Sequence, residues 1–181
     1  MTYHIVKLYF RQPVHFSRGK MNTYESSSIM LHSDTIQAAL YVSAIQLHGM
    51  DVAEKFRRMV RVSSAFPFTQ DSGLWLPKPL AFNLKDTEHQ KELKKLRFLR
   101  LNQFERLINE KMISVSDVLE MEQPEIWKED TTQRVMLDRK SNRGMPFYLE
   151  KLYPMNSHKD RGLYFLVHIE EEGFPELKSL L

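Results

Sequence analysis

The chain contains no cysteine. Disulfides and thiolate metal sites are therefore excluded, and the composition suits a reducing compartment. Long apolar runs are missing as well. No stretch approaches the roughly 18 residues of a membrane span, and the N-terminus alternates polar and apolar residues where a signal segment would carry an apolar block. A cytoplasmic protein is expected. The seven histidines are scattered, with no pair at metal-ligand spacing on an obvious common face, so neither a zinc site nor any other cofactor is expected. The net charge of +3 is too small to name a partner.

What is present describes a folding chain. With 42% hydrophobic and 27% charged residues among 181, one domain spanning 1–181 with a proper core is expected. The charge is unevenly spread. Residues 134–161 hold seven Lys or Arg against three acids, a balance of +4, and residues 109–130 hold seven acids against two Lys, a balance of −5. Such segregation suits one surface that faces an anion and another that faces away from it or meets a basic protein.

Residues 2–10, "TYHIVKLYF", are β-branched and aromatic and apolar on both faces, which predicts a central strand. A long polar and aromatic loop follows over 11–30. Ile36, Ala39, Leu40, Ser43, Ala44 and Leu47 recur at helical spacing and predict a helix over 34–48, and a shorter one capped by Asp51 carries Val52, Phe56 and Met59. "RVSSAFPF" reads as a strand broken by Pro67. "GLWLPKPL" reads as an extended segment, because its prolines forbid helix and ladder bonds at their own nitrogens. A helix is predicted from Asn102 through Ile108, a short turn at 116–122, and a last helix with Pro175 near its start. "TTQRVMLDRK" and "MPFYLEKLYP" flank the polar tip "SNRG" as the arms of a β-hairpin, and "GLYFLVHIE" predicts a further strand.

The stretch "LHSDT" places His32, Ser33, Asp34 and Thr35 together, residue types that elsewhere form hydrolase sites. Three neighbours at a helix start rarely make the hydrogen-bonded chain such chemistry needs. Ser33 is expected to cap the helix through its hydroxyl, with Asp34 at the positive end of the dipole. The same N–H groups are a potential phosphate seat.

A binder of single-stranded RNA needs cations for phosphates and aromatic faces for bases. The first loop offers His15, Phe16, Arg18, Lys20 and Tyr24. The hairpin offers Arg134, Arg139, Lys140 and Arg143, with Phe147 and Tyr148 as candidate stacking residues. Lys78 sits in an extended Pro-Lys-Pro frame suited to a phosphate contact, whereas Trp75 and Phe66 read as core or protein-interface residues.

Taken in order, "HSDT", "SSAFPF", "LWLPKPL", "RVMLDRKSN", "PFYLEKLY" and "GLYFLV" resemble the Csm-type RAMP cap subunits of type III-A CRISPR effector complexes. The resemblance runs from about residue 3 to about 170. It implies an α+β fold with a ferredoxin-like, RNA-recognition-type core and a protruding β-hairpin. It also implies a non-catalytic subunit that holds the 5′ repeat tag of the crRNA and docks the large polymerase-cyclase subunit and a backbone RAMP subunit. His15, Arg18, Lys20, Ser33, Thr35, Lys78, Arg134, Arg139, Lys140 and Arg143 are the expected RNA contacts. Members of that family continue into a second half with a loop of the form G-x-G-G-x-R-S-x-G; the six glycines here are not clustered, so the chain is expected to correspond to the N-terminal half. Two rivals stand beside this reading. One is an endoribonuclease of the same superfamily, with His15 or His32 as acid or base, or Asp34 or Glu25 on a metal ion. The other is a protein-interaction module that uses the acidic stretch and "LWLPKPL".

Overall fold

The computed structural model describes residues 2–17, 26–71, 73–79, 95–110, 123–140, 143–155 and 161–170. The strand with the most partners in its main sheet is β8 (Arg161–Ile169). The run Leu163 to Val167 is apolar on both faces, as a strand covered from two sides requires. On one side β8 pairs with β1 (Thr2–Leu8), and on the other with β2 (Val60–Val62) and then β3 (Phe66–Thr69). Beyond β3 come β4 (Gly73–Pro77) and β5 (Phe98–Arg100), giving the order β1-β8-β3-β4-β5 with β2 alongside β8. The α+β class is as expected. Every strand pair among the described residues is antiparallel. A split βαβ unit of the ferredoxin-like kind also has only antiparallel neighbours, because a third strand lies between its two parallel ones.

The strand read as central from the sequence is β1, and it lies at the edge. Val6 and Leu8 pack into the core, but Tyr3 and Ile5 on the opposite face are 62% and 54% exposed. Composition makes β1 and β8 look alike; having partners on both sides is what distinguishes β8. Gly162 fits this crowded position because a Cβ there would collide with the carbonyl oxygen of Leu8. The interruption expected at Pro67 falls instead at Ser63–Ala65. There Ser63 donates its N–H to Leu166 O at 2.9 Å and accepts the Leu166 N–H on its hydroxyl at 2.9 Å, so a side chain replaces one rung of the ladder. Pro67 itself is buried in β3 opposite Leu163.

Helices α1 (Ser33–His48) and α2 (Met50–Met59) are joined at Gly49, whose φ of +89° is accessible to glycine at little cost. Ile36 and Ala44 of α1, with Ala53 and Phe56 of α2, are buried, while Ala39 is exposed and Leu47 is 62% exposed. The apolar stripe of α1 is therefore narrower than the sequence spacing predicts. Neither helix has a side-chain cap. His32 occupies the cap position of α1 and Gly49 that of α2, correcting the roles expected for Ser33 and Asp51. Ser33 is the first helical residue, and its N–H donates to the Ser64 hydroxyl at 3.1 Å. Tyr41 of α1 ties the two helices together by donating to the Glu54 carboxylate of α2 at 2.8 Å, and Arg57, one turn along α2, donates to the same carboxylate at 3.0 Å. These bonds, the one from Tyr41 first, hold the Glu54 carboxyl below its usual range.

A second apolar cluster lies under α3 (Leu101–Glu110), where Phe104 and Leu107 pack on Trp75, Leu96, Phe98 and Leu99. The strand β5 was not anticipated: "RFLR" lies in a lysine-rich run, and only its pairing with β4 makes it a strand. That pairing also shows "GLWLP" laddered on both sides. Tyr164 links the two clusters by donating its hydroxyl to Trp75 O at 2.9 Å, and burial pushes its pKa up to about 12. No helix among the described residues is long and apolar enough to cross a membrane. The turn expected at 116–122 and the helix at 173–181 lie outside the described residues.

The Ser64 hydroxyl, and not that of Ser33, satisfies the first N–H of α1. Ser64→Ala is expected to destabilise the protein by about 0.5 to 2 kcal/mol, the cost of a lost cap. Ser33→Ala is expected to cost less. Urea midpoints of the two variants check the order, and a larger loss for Ser33→Ala would contradict it.

Candidate nucleic-acid interface

Strands β6 (Trp127–Leu137) and β7 (Gly144–Pro154) form a separate two-stranded sheet, in register from Trp127 opposite Pro154 to Leu137 opposite Gly144. At the turn, Asp138 N–H donates to Arg143 O at 3.0 Å, and the Asp138 carboxylate accepts the Lys140 N–H at 2.9 Å. This Asp-led turn closes the pair. The strands begin earlier than the sequence signal, so Lys128, Glu129 and Asp130 of the acidic stretch form the root of the hairpin.

The root is fixed by polar bonds and aromatic packing. Val14 and Leu152 exchange backbone hydrogen bonds at 3.0 and 2.8 Å. The ring of His15 donates from Nδ1 to Glu150 O at 2.8 Å, and the Glu150 carboxylate accepts the N–H of buried Ser27. Trp127 donates its indole N–H to Ile29 O at 3.1 Å and meets Phe10 and Phe16 edge-on, with ring centroids 4.9 and 6.0 Å away. Phe16 is thus a packing residue and not a base-stacking one.

The tip is different. Val135, Met136, Leu137, Met145 and Tyr148 are all about half exposed or more, with Leu137 at 69%. Arg134, Arg139, Lys140 and Arg143 are exposed around them. Among the described residues none of the four has an acidic partner. Arg134 stands directly opposite Phe147 on one face, and Tyr148 opposite Gln133 on the other, so the two candidate stacking residues cannot serve one base stack from the same face.

The remaining expected contacts lie on other elements. Ser33 and Thr35 start α1, and Lys78 follows β4, with its N–H donating to Arg97 O at 3.0 Å. His15 braces the hairpin root. Arg18 and Lys20, with Tyr24 and Glu25, lie outside the described residues. The structure therefore brings together the hairpin cations, while Ser33, Thr35 and Lys78 lie on other elements. Among the described residues no group of three or more His, Asp or Glu could hold a metal ion.

This architecture is shared with chains of solved CRISPR assemblies. A chain of the Csm1–Csm4 cassette crystallised with pppApA superposes with a TM-score of 0.65 at 23% identity, over 93% of this chain and 60% of that one. A chain of the Csm3–Csm4 subcomplex of the type III-A CRISPR-Cas interference complex gives 0.62 at 18%, over 99% and 62%. These likenesses establish the fold. In sequence, the chain is 29% identical over 160 residues to the CRISPR-system protein Csm4 of Streptococcus thermophilus, a match covering 78% of this chain and 51% of that protein. The chain thus spans about half the length of the curated relative it matches. No family model matches it. Sequence and fold together bear out the resemblance to Csm4-type RAMP subunits that the six motifs carry.

Because the Glu150 carboxylate accepts the N–H of buried Ser27, Glu150→Ala is expected to cost about 1 to 3 kcal/mol, the penalty of orphaning a buried N–H. Thermal or urea unfolding measures it. Glu129→Ala, on the exposed part of the neighbouring strand, is the comparison and is expected to change little.

Proposed function

We propose that the chain is a non-catalytic RNA-binding subunit of a type III-A CRISPR interference complex, holding the 5′ repeat tag of the crRNA and docking the large polymerase-cyclase subunit and a backbone RAMP subunit. The observation that carries the RNA part is the hairpin tip, where four cations without acidic partners among the described residues surround exposed apolar side chains on a root fixed to the body. Cations of this kind meet phosphates, and a rigid root gives them a fixed register on the strand. The partner part is supported by the shared fold with chains of Csm1–Csm4 and Csm3–Csm4 assemblies. Ser33 and Thr35 at the α1 N-terminus, Lys78 after β4, and His15, Arg18 and Lys20 of the first loop are proposed as secondary contacts, His15 through its hold on the root. A cytoplasmic location and one domain over 1–181 belong to the same proposal.

Replacing Arg134, Arg139, Lys140 and Arg143 together by Ala is expected to flatten the salt dependence of log K for single-stranded RNA by roughly 2 to 3 units, at about 0.7 per neutralised phosphate. The loss should be alike for all sequences, since phosphate contacts position a strand without reading it. The control replaces Arg57, Arg58 and Arg61 on α2 and β2. Equal slopes for the quadruple variant and the parent would remove the hairpin from the RNA surface and leave protein docking as its role.

Neither crRNA precursor nor target RNA is expected to be cut, with or without divalent metal, because His15 already serves the root and the His32 ring has no hydrogen-bond partner among the described residues. Cleavage that vanishes in His32→Ala or Asp34→Ala would establish the endoribonuclease reading instead.

A further inference from the structure

At the foot of the hairpin, where the segment Gln123–Glu125 crosses the end of the main sheet, lies a cavity of about 510 Å³ lined by Trp75, Arg100, Arg161, Asp71 and Glu125 among others. Its floor follows from the strand register. Trp75 is the cross-strand partner of Arg100, and continuation of the β3–β4 and β3–β8 registers puts Arg161 on the same face. The Arg100 guanidinium lies over the Trp75 ring, 5.4 Å from its centroid.

The unusual feature is the set of donors. The Trp75 Nε1, Arg100 Nε and Arg161 Nε atoms are all buried, and none has a hydrogen-bond partner among the described residues. Trp75 is only 1% exposed, and its position is fixed by the bond from Tyr164 to its carbonyl. Arg161 is fixed too, its Nη1 donating to Glu125 O at 2.8 Å. Buried donors are nearly always satisfied, and a cluster of three around one cavity calls for an acceptor that enters it. Two guanidinium Nε–H groups and an indole N–H can only donate, so the ligand must present oxygens carrying negative charge.

Size and the two acids narrow the class. The cavity is much larger than an oxyanion and lies in the range of small-ligand pockets. Asp71 and Glu125 are exposed at the site, where they disfavour a dianion and leave acceptors for ligand donors. A phosphodiester-linked nucleotide meets both demands: its phosphate is a monoanion, and its base edge and ribose hydroxyl carry donors. An acidic peptide supplies the anion but fewer groups for the carboxylates. We propose that this pocket holds one nucleotide of a single-stranded RNA, with its phosphodiester oxygens on Trp75, Arg100 and Arg161 and its base or ribose donors toward Asp71 and Glu125. The inference deepens the RNA-binding reading above and adds a site for a single nucleotide at the hairpin foot.

The two tryptophans make the test direct. In ¹⁵N-labelled full chain, the indole N–H signal of Trp127 is the internal reference because that group is bonded to Ile29 O, and Trp75→Phe assigns the other signal. The probes are a dinucleoside monophosphate, dimethyl phosphate, a free nucleoside and a tetraglutamate peptide. The expected result is a saturable downfield movement of the Trp75 signal with the dinucleoside monophosphate, at lower concentration than with any other probe, and with the Trp127 signal still. Arg100→Lys and Arg161→Lys, which keep charge and lose the Nε–H, should each weaken that binding about tenfold, as expected for one charge-assisted bond. An unmoved Trp75 signal, equal affinity for dimethyl phosphate, or preference for tetraglutamate would each overturn the proposal. The dinucleoside reports on the pocket through Trp75, and the salt slope of the quadruple variant reports on the hairpin. Failure of one is therefore distinguishable from failure of the other.

Discussion

Much of the fold depends on β8 having a partner along both edges. One strand pairs with β1, β2 and β3, and its side chains Leu163, Phe165 and Val167 supply the centre of the cluster that holds α1 and α2. Such a strand must be apolar on both faces and tolerate close neighbours. Leu163 to Val167 meets the first demand and Gly162 the second. The elements that approach β8 are adapted to it in turn. The chain between β2 and β3 steps out at Ser63–Ala65, and the Ser63 hydroxyl fills the missing rung so that Leu166 N–H is not left orphaned.

That rigid centre gives the hairpin its meaning. Exposed two-stranded ribbons are marginal by themselves. This one is held because its root joins the core through Trp127 and Leu152 and through the bonds of His15 and Ser27 to Glu150. Stability is concentrated at the root and exposure at the tip. A surface built this way presents cations and apolar side chains to a partner while the entropy of aligning them has already been lost on folding.

The same separation organises charge. Glu129 and Asp130 sit near the root and Arg134, Arg139, Lys140 and Arg143 near the tip, so the ribbon carries a gradient along its length. At its foot the pocket reverses the usual pairing, with guanidinium Nε atoms and an indole N–H buried and two carboxylates exposed. Both regions offer donors to an anion. They differ in kind: the tip suits contacts along a backbone, and the pocket suits a single enclosed group.

Local pattern determined the elements whose signals are local. The α1 and α2 helices, the β8 strand and the two arms of the hairpin were legible because helical spacing, dense β-branched and aromatic residues and a polar turn are properties of neighbouring residues. The cations at the hairpin tip were legible for the same reason. Rank and pairing were not. "TYHIVKLYF" and "GLYFLVHIE" have similar composition, yet one is an edge and the other is paired on both sides; "RFLR" is a strand only because β4 lies beside it. His15 has the residue type of an RNA contact, but its ring donates to Glu150, 135 positions away. Trp75, Arg100 and Arg161 are far apart in sequence and share no motif, and only the register of four strands places them around one cavity. Sequence fixes which groups are available; long-range pairing decides which of them remain unsatisfied, because a donor's partner can come from any part of the chain.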